Sequence, residues 1–286
     1  MNKNYLIAIS TYKEELNVIK LIKKIRKEIG NIKILIVNDN SGDKTKIIIN
    51  ELHDNNLIYL ERPKKLGLGT AHKLSIFYAI KYKFKFLITM DADFSHDPSH
   101  LKDLIYLAGD NNFIIGSRFC KNGKSDYKGL RKFISTCGNV LAKKILKLDI
   151  NEVTTYYRVY SVKLLKKLPF NELNAQGYSF GVRLVWLMKK LNADLIETPI
   201  HFKDRNLGKS KIPKLQILYS LFDLLSMKFK DIFLVQKFYH KINNTFNFSL
   251  QCKNCKKNFM SLIKKNKFVC LVCKKTLIQN FNNHLN

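Results

Sequence analysis

Short apolar runs alternate with amphipathic segments along the first 120 residues of the chain. The apolar runs predict five strands, at Tyr5–Ser10, Ile32–Val37, Leu57–Leu60, Phe84–Met90 and Phe113–Gly116. Helical spacing of apolar residues predicts the intervening helices, at Glu14–Ile29, Lys44–His53, Thr70–Tyr82 and Pro98–Leu107. Strand–helix repetition with short connections predicts an α/β fold, a Rossmann-like and mostly parallel sheet flanked by helices.

The pattern is less regular after residue 119. Polar stretches predict a mobile loop over 119–130 and a second, basic loop over 203–214. Helices are predicted at Leu130–Leu148 and Gly177–Leu191, and strands at Tyr157–Tyr160 and Leu195–Phe202. We therefore assign residues 1–214 to one catalytic domain.

Apolar residues at near-helical spacing continue over 215–239 and predict an amphipathic helix. Two interpretations of this segment stay open: a helix lying on a bilayer, or a helix packed on the catalytic domain. An Asn- and Phe-containing linker follows at 240–250, and the Lys-rich tail at 251–286 forms a separate module.

Composition narrows the classes of protein. A hydrophobic fraction of 46% excludes a disordered chain, and 51 Lys and Arg against 22 Asp and Glu give a formal charge of +29. That charge implies an anionic partner, which can be nucleic acid, a lipid surface or a phosphorylated substrate. The sequence has neither a signal-peptide core nor an apolar run of about 18 residues. It predicts a cytoplasmic protein, peripherally bound to the cytoplasmic face of a membrane.

Four cysteines form two pairs, Cys252-x-x-Cys255 and Cys270-x-x-Cys273, with 14 residues between them. This spacing predicts a tetrahedral Zn²⁺ site, and a module with so little core needs such a metal to fold. Redox-active dithiols are the alternative. The tail contains few aromatic residues, so nucleic acid is not the expected ligand. A protein partner or membrane contact of the zinc ribbon stays open.

Three carboxylates, Asp39, Asp91 and Asp93, directly follow predicted strands. The carboxyl ends of parallel strands share one edge, where such sheets bind ligands. Asp91 and Asp93 suit Mg²⁺ or Mn²⁺ that bridges a diphosphate, although Asp93 can equally start a turn that caps the next helix.

Arginine and lysine side chains on the polar loops are candidate phosphate ligands, because guanidinium groups bind phosphate bidentately. They are Arg118, Arg131, Arg205 and Lys211, and ordinary solvated surface charge is the alternative for each. The glycine-rich run 67–70 lacks both the Walker and the dinucleotide patterns. It predicts a tight turn with Thr70 as helix N-cap.

Six motifs in a fixed order carry a family resemblance over roughly residues 5–215. The most specific are Lys65-Leu66-Gly67-Leu68-Gly69-Thr70-Ala71 and Asp91-Ala92-Asp93-Phe94-Ser95-His96, and the others lie at 10–14, 37–45, 116–119 and 202–211. Together they resemble family-2 glycosyltransferases of the dolichol-phosphate mannosyltransferase branch. The resemblance implies a GT-A fold and metal-dependent, inverting transfer of a hexose from a nucleotide sugar to a polyprenyl phosphate. GDP-mannose is the implied donor, with UDP-glucose as its competitor.

The resemblance also implies roles for individual residues. The implied donor-binding residues are Thr11, Glu14, Asp39 and Asp91. The implied metal ligands are Asp91 and Asp93, and Ser95 occupies a third position that is sometimes a ligand. The implied ligands of the acceptor phosphate are Arg131, Ser135, Arg205 and Lys211. The implied catalytic residues, which act on the reacting phosphates, are Asp91, Asp93, Arg118 and Arg205. Neither His72 nor His96 is required as a base, because a phosphate nucleophile is already anionic.

Two departures from the family pattern leave the acceptor open. Gly181 and Arg183 stand where Gln and Glu are usual, which reverses a charge near the expected acceptor region. One alternative is a sugar hydroxyl acceptor, which would need a general base. A lower-ranked alternative is a degenerate catalytic fold whose basic zinc ribbon acts as a binding module.

Overall fold

The computed structural model describes residues 4–170, 172–173, 178–204 and 223–227, and two short strands near the C-terminus, 268–269 and 276–277. Arg205, Lys211, the linker 240–250 and the four paired cysteines lie outside the described residues. The predicted segment 215–239 is described only over 223–227.

A seven-stranded sheet forms the centre of the molecule, in the order β3-β2-β1-β4-β7-β5-β8. Strand β7 runs antiparallel to its neighbours β4 and β5, and the other adjacent pairs are parallel. The strands are β1 (Tyr5–Thr11), β2 (Lys33–Asn38), β3 (Leu57–Glu61), β4 (Phe86–Asp91), β5 (Asn112–Ser117), β7 (Arg158–Ser161) and β8 (Asp194–Pro199). The prediction of a mostly parallel sheet is confirmed.

Helices cover both faces of this sheet. They are α1 (Glu15–Ile29), α2 (Thr45–Glu51), α3 (Leu68–Lys81), α4 (Leu101–Tyr106), α5 (Gly129–Leu146), α6 (Val162–Leu165) and α7 (Tyr178–Lys190). Alternate residues of β1 face opposite cores, since Ile7 and Ile9 pack with α1 residues while Leu6 and Ala8 pack with α3 residues. The fully apolar strands therefore reflect burial on two faces.

The carboxyl ends of β1, β2 and β4 meet at one edge of the sheet. Thr11 is aligned with Asn38 on β2, and Ser10 with Asp91 on β4. Because β7 is antiparallel to both β4 and β5, β5 also ends at this edge, with Ser117. The candidate site residues at the ends of β1, β2, β4 and β5 thus lie at the same edge of the sheet.

Two local predictions are wrong. The predicted strand Leu195–Phe202 is divided into β8 and β9 (His201–Phe202), and β9 pairs in parallel with β6 (Lys124–Ser125), which lies within the loop predicted at 119–130. The N-cap of α3 is Gly67, at φ +89°, and Thr70 lies in the first turn with its hydroxyl bonded to the carbonyls of Leu66 and Gly67.

The described C-terminal pieces are short. In the helix at 223–227, Leu224 and Met227 are buried with the core around α3 and α7, while Leu225 is exposed. Strands β10 (Phe268–Val269) and β11 (Thr276–Leu277) pair antiparallel. Across the described part of the chain, no helix is both long enough and apolar enough to cross a bilayer.

Candidate active site

Two carboxylates follow β4 at the carboxyl edge of the sheet. Asp91 ends the strand with 29% of its side chain exposed, whereas Asp93 is buried. Phe94 has a left-handed backbone, φ +64°, which turns the chain so that the Ser95 N–H donates to Asp93 Oδ1 at 3.1 Å. The Ser95 hydroxyl donates to the same oxygen. The predicted carboxylate pair is therefore present, with one member fixed by its own loop and the other facing solvent.

His96 lies beneath this carboxylate loop and is fully buried. Its Nδ1 accepts the backbone N–H of Asp91 at 2.9 Å, and its Nε2 lies 2.9 Å from Thr155 Oγ1. Burial lowers the pKa of His96 to about 3, so the ring stays neutral. These two hydrogen bonds fix His96 in the protein interior. The sequence did not reveal either of them.

The carboxyl ends of β1 and β2 carry a network of short polar residues. Thr11 Oγ1 donates to Asn38 Oδ1 at 3.3 Å, and the Ser41 hydroxyl donates to the same oxygen. The backbone N–H of Lys13 donates to Ser41 Oγ at 2.9 Å. At the start of α1, Glu14 accepts from Asn17 Nδ2 at 2.9 Å. Thr11 and Glu14 thus flank one polar region at the ends of β1 and β2.

Asp39 fixes the glycine-rich turn before α3. Its two carboxylate oxygens accept the backbone N–H groups of Leu66 and Gly67 at 2.7 and 2.8 Å. The buried guanidinium of Arg62 lies 3.3 Å from Asp39 Oδ1 and also donates to Gly67 O at 3.1 Å. These contacts explain why an Asp at the end of β2 and a Leu-Gly-Leu-Gly run occur together.

Arg118 follows β5 and forms a buried ion pair with Glu152. Arg118 Nε donates to Glu152 Oε2 at 2.7 Å, and Nη2 donates to Oε1 at 3.0 Å and to Thr154 Oγ1 at 2.8 Å. Although burial opposes ionisation of Glu152, Arg118 holds the pKa of Glu152 below its usual value. The sequence did not reveal this pair, because Glu152 is 34 residues from Arg118 and lies outside the six motifs.

A cavity of about 430 Å³ opens between the 118–127 loop, α5 and β9. Its wall includes Arg118, Lys132, Ser135 and His201, together with Phe119 and the stretch 123–127. A second, wider depression shares Ser125, Asp126, Tyr127 and Lys132 with it and adds Lys128, Arg131 and Asp204. The structure thereby brings the predicted residues Arg118, Arg131 and Ser135 to one continuous depression.

Arg131 is held on the rim of this depression. Its Nη1 donates to Asp204 Oδ1 at 2.8 Å, and its Nη2 donates to Tyr127 OH at 2.9 Å. The guanidinium also lies 3.8 Å from the centre of the Tyr127 ring. Asp204 directly precedes the predicted phosphate ligand Arg205 in the sequence, and Arg205 itself lies outside the described residues.

Helix α5 carries an exposed apolar stripe. Leu130 is 73% exposed and Phe133 65% exposed. Because Phe133 and Ile134 follow Leu130 by three and four residues, these side chains share one helical face, opposite the buried Ala142 and Leu146. The α5 stripe consists of Leu130, Phe133, Ile134, Val140 and Leu141. An apolar face of this kind marks a contact with a protein, a ligand or a membrane.

The two departures at Gly181 and Arg183 have structural partners. A Cβ at Gly181 would lie 3.2 Å from Arg158 Nη2 and 3.3 Å from the Tyr156 ring, so glycine allows α7 to approach closely. Arg183 is buried and forms an ion pair with Asp223 in the helix at 223–227. The reversed charge at Arg183 is therefore neutralised within the molecule.

Comparisons with known proteins show the family to which this chain belongs. Residues 6–169 match the family model described as Glycosyl transferase family 2. The chain is 28% identical over 222 residues to polyprenol monophosphomannose synthase of Mycolicibacterium smegmatis, covering 76% of this chain and 84% of that protein. It is 30% identical over 210 residues to undecaprenyl-phosphate mannosyltransferase of Micrococcus luteus, covering 72% and 86%.

Solved structures match the fold at lower identity. Glucosyl-3-phosphoglycerate synthase of Mycobacterium tuberculosis, in complex with Mn²⁺, UDP and glucosyl-3-phosphoglycerate, has a TM-score of 0.56 and 18% identity, covering 78% of this chain and 79% of that one. Mannosyltransferase PcManGT of Pyrobaculum calidifontis, in complex with GDP-Man and Mn²⁺, has a TM-score of 0.51 and 14% identity, covering 81% and 65%. The central domain thus has the GT-A fold.

Proposed function

Because the chain belongs to glycosyltransferase family 2, we propose that it transfers a hexose, mannose from GDP-mannose, to a polyprenyl phosphate. One observation carries the proposal. The carboxylate pair after β4 shares an edge of the sheet with a cationic depression, and the helix bounding that depression carries the exposed α5 stripe. Such a site suits a diphosphate on one side and an anionic lipid on the other.

The residues after β4 fit a divalent cation. Mg²⁺ and Mn²⁺ are commonly held by one or two carboxylates, with substrate phosphates and water as the remaining ligands. Asp91 and Asp93 supply that set, and among the described residues no group of three or more His, Cys, Asp or Glu side chains is placed to hold a metal alone. When bound, the cation would offset the charge that develops on the departing nucleoside diphosphate. The Mn²⁺ in the two structural neighbours supports this assignment.

We assign the nucleotide to the donor side of the edge, near Thr11, Glu14, Asp39 and Asp91. The two relatives named for mannose transfer and the neighbour containing GDP-Man support GDP-mannose as the donor. UDP-glucose is the competing donor, supported by the neighbour that contains UDP.

The acceptor phosphate is assigned to the cationic depression. Arg131 and Ser135 lie there, and Arg205 and Lys211 complete the proposed set. The ion pair with Glu152 fixes the Arg118 side chain in the cavity wall, where it can orient a phosphate group. An anionic phosphate oxygen needs positioning and no strong base, and attack opposite the leaving group inverts the anomeric carbon.

Membrane contact follows from the chemistry of this acceptor. A polyprenyl chain stays in the bilayer, so its phosphate is accessible only at the surface. The exposed α5 stripe can enter the interface, while the high positive charge of the chain attracts anionic lipids of the cytoplasmic leaflet. We propose the same peripheral location for the amphipathic segment 215–239 outside residues 223–227, which pack on the core.

A sugar hydroxyl acceptor is the second candidate, because the cavity wall contains a histidine–carboxylate pair. His201 Nε2 lies 2.6 Å from Asp126 Oδ1, an arrangement that can orient a general base. Family membership and the intact carboxylate pair after β4 argue against the third interpretation, a degenerate enzyme.

The deciding experiment uses the full chain with radiolabelled GDP-mannose, a polyprenyl phosphate in detergent, and Mn²⁺ or Mg²⁺. Transfer of label to the organic phase, abolished by EDTA, would support GDP-mannose as donor, polyprenyl phosphate as acceptor and the need for a divalent metal. Parallel reactions contain UDP-glucose, or a soluble sugar as acceptor. Transfer only in one of those reactions would refute the corresponding part of the proposal.

A further inference from the structure

Two buried histidines stack on consecutive tyrosines, Tyr156 and Tyr157, that directly precede β7. The His96 ring lies 5.0 Å from the Tyr157 ring, and the His72 ring lies 4.2 Å from the Tyr156 ring. Their hydrogen bonding differs completely. Within the described structure neither ring nitrogen of His72 has a partner, whereas both nitrogens of His96 have one. His96 is therefore held by more than packing.

The bond from Asp91 to His96 replaces a strand contact. The pairing of β7 with β4 ends at Thr89, two residues before Asp91. Beyond that point the backbone N–H of Asp91 donates to His96 Nδ1 at 2.9 Å. Because Nδ1 accepts, the proton of the neutral ring lies on Nε2 and is donated to Thr155 Oγ1. The last residue of β4 is thus fixed by a side chain from its own following loop.

The contacts continue from Thr155 to the acceptor side. The Thr155 N–H donates to Glu152 Oε1 at 3.1 Å, and Glu152 accepts both donors of Arg118. His96, Thr155 and Glu152 therefore join the backbone of Asp91 to the guanidinium of Arg118. Every member of this connection except Asp91 is buried.

We propose that His96 is a positioning residue, which fixes the Asp91 carboxylate for the divalent cation and sets its place relative to Arg118. The inference rests on the proposed metal site. Groups that orient metal ligands through hydrogen bonds change metal affinity by about 10- to 100-fold when they are replaced. His96 orients Asp91 through the backbone of that residue, so its loss frees the carboxylate to rotate away from the cation.

The test is Mn²⁺ binding, measured by electron paramagnetic resonance on the full chain in the presence of GDP. His96→Phe keeps the ring against Tyr157 and removes both hydrogen bonds, and we expect Mn²⁺ affinity to fall by about tenfold or more. The matched control is His72→Phe, which keeps the ring against Tyr156 and removes no hydrogen bond. It should leave Mn²⁺ affinity unchanged.

Two further variants separate the two bonds and guard against misfolding. The amide oxygen of His96→Asn can take the place of Nδ1, so Mn²⁺ binding should be largely retained. The longer side chain of His96→Gln can replace the hydrogen bond of Nε2 to Thr155, but it cannot accept the Asp91 N–H. Mn²⁺ binding by this variant should therefore be weak. The inference would be overturned if folded His96→Asn and His96→Gln bound Mn²⁺ with equal affinity. It would also be overturned if His72→Phe lost as much Mn²⁺ affinity as His96→Phe. Wild-type protein that binds no Mn²⁺ would instead refute the proposed metal site itself.

Discussion

Asp91 and Asp93 follow the same strand, yet only Asp91 is open to solvent. Replacing Asp91 by Asn removes one negative charge with little change in volume. We expect transfer to fall by about 100-fold or more, since the carboxylate is needed to hold the cation that offsets the leaving-group charge. Hexose transfer and Mn²⁺ binding measure the effect.

Asp110→Asn is the matched control for that variant. Asp110 is an exposed carboxylate paired with Lys85 and Lys163, away from the carboxyl edge. Both variants should unfold at the wild-type temperature. Undiminished transfer by Asp91→Asn would contradict the metal role of this residue.

Glu152 provides a second prediction at the residue scale, on stability. Glu152→Gln leaves the buried charge of Arg118 without its partner and should cost about 3 kcal/mol of unfolding free energy. Because the folded-state pKa of Glu152 is lowered, its contribution is present above the usual Glu pKa and lost as pH falls through the folded value. Urea unfolding between pH 7 and pH 3 should therefore show the wild-type advantage shrinking in acid. An advantage independent of pH would contradict the assignment.

Sequence predicted the carboxylate pair because Asp91 and Asp93 are local to one recognisable strand. It did not predict their supports. Thr155 is 59 residues from His96, and Glu152 is 34 residues from Arg118. Contacts at such separations depend on the antiparallel placement of β7 between β4 and β5, which the periodicity of a single strand does not encode.

At the scale of elements, the α5 stripe predicts a membrane contact that is separate from catalysis. Leu130→Glu combined with Phe133→Glu should weaken binding to vesicles of anionic lipid by about tenfold or more, because two large apolar side chains leave the interface. Both residues are mostly exposed, so the fold should be retained. Vesicle sedimentation measures the binding.

The control for the stripe is Tyr106→Glu, at an aromatic side chain that is 88% exposed on α4. It should leave vesicle binding unchanged. The α5 variant should also transfer hexose normally to acceptor dissolved in detergent while losing transfer to acceptor in vesicles. Equal loss in both assays would place the stripe in the active site instead of at the membrane.

Elements were predictable where burial on two faces produced long apolar runs, as in β1, β2 and β4. Strands β6 and β9 contain two residues each, too few for any period to be visible. Their pairing nevertheless connects the 118–127 loop to the chain that follows β8. A long-range pairing therefore contacts a segment whose composition is that of a loop, and the mobility expected for 119–130 stays a prediction.

At the scale of the whole molecule, Arg183 illustrates why a departure from a family pattern is hard to interpret alone. The charge reversal suggested a changed acceptor region. The structure gives Arg183 an acidic partner, Asp223, 40 residues later in the chain. Because Leu224 and Met227 are also buried, this part of the predicted amphipathic segment packs on the catalytic domain. That favours core packing for 223–227 and leaves bilayer contact of the remaining segment a prediction.

The zinc ribbon is the last prediction, since it concerns a module outside the catalytic domain. Strands β10 and β11 lie on either side of the second cysteine pair in the sequence and pair antiparallel. The purified chain should contain about one Zn²⁺, as four thiolates complete a tetrahedral site. Cys252→Ser or Cys270→Ser should lose that zinc, whereas Cys137→Ser, at an exposed cysteine of α5, should retain it. Elemental analysis measures the metal. If transfer to polyprenyl phosphate in detergent survives the loss of zinc, the ribbon serves docking; if zinc is absent from wild-type protein, the cysteines have another role.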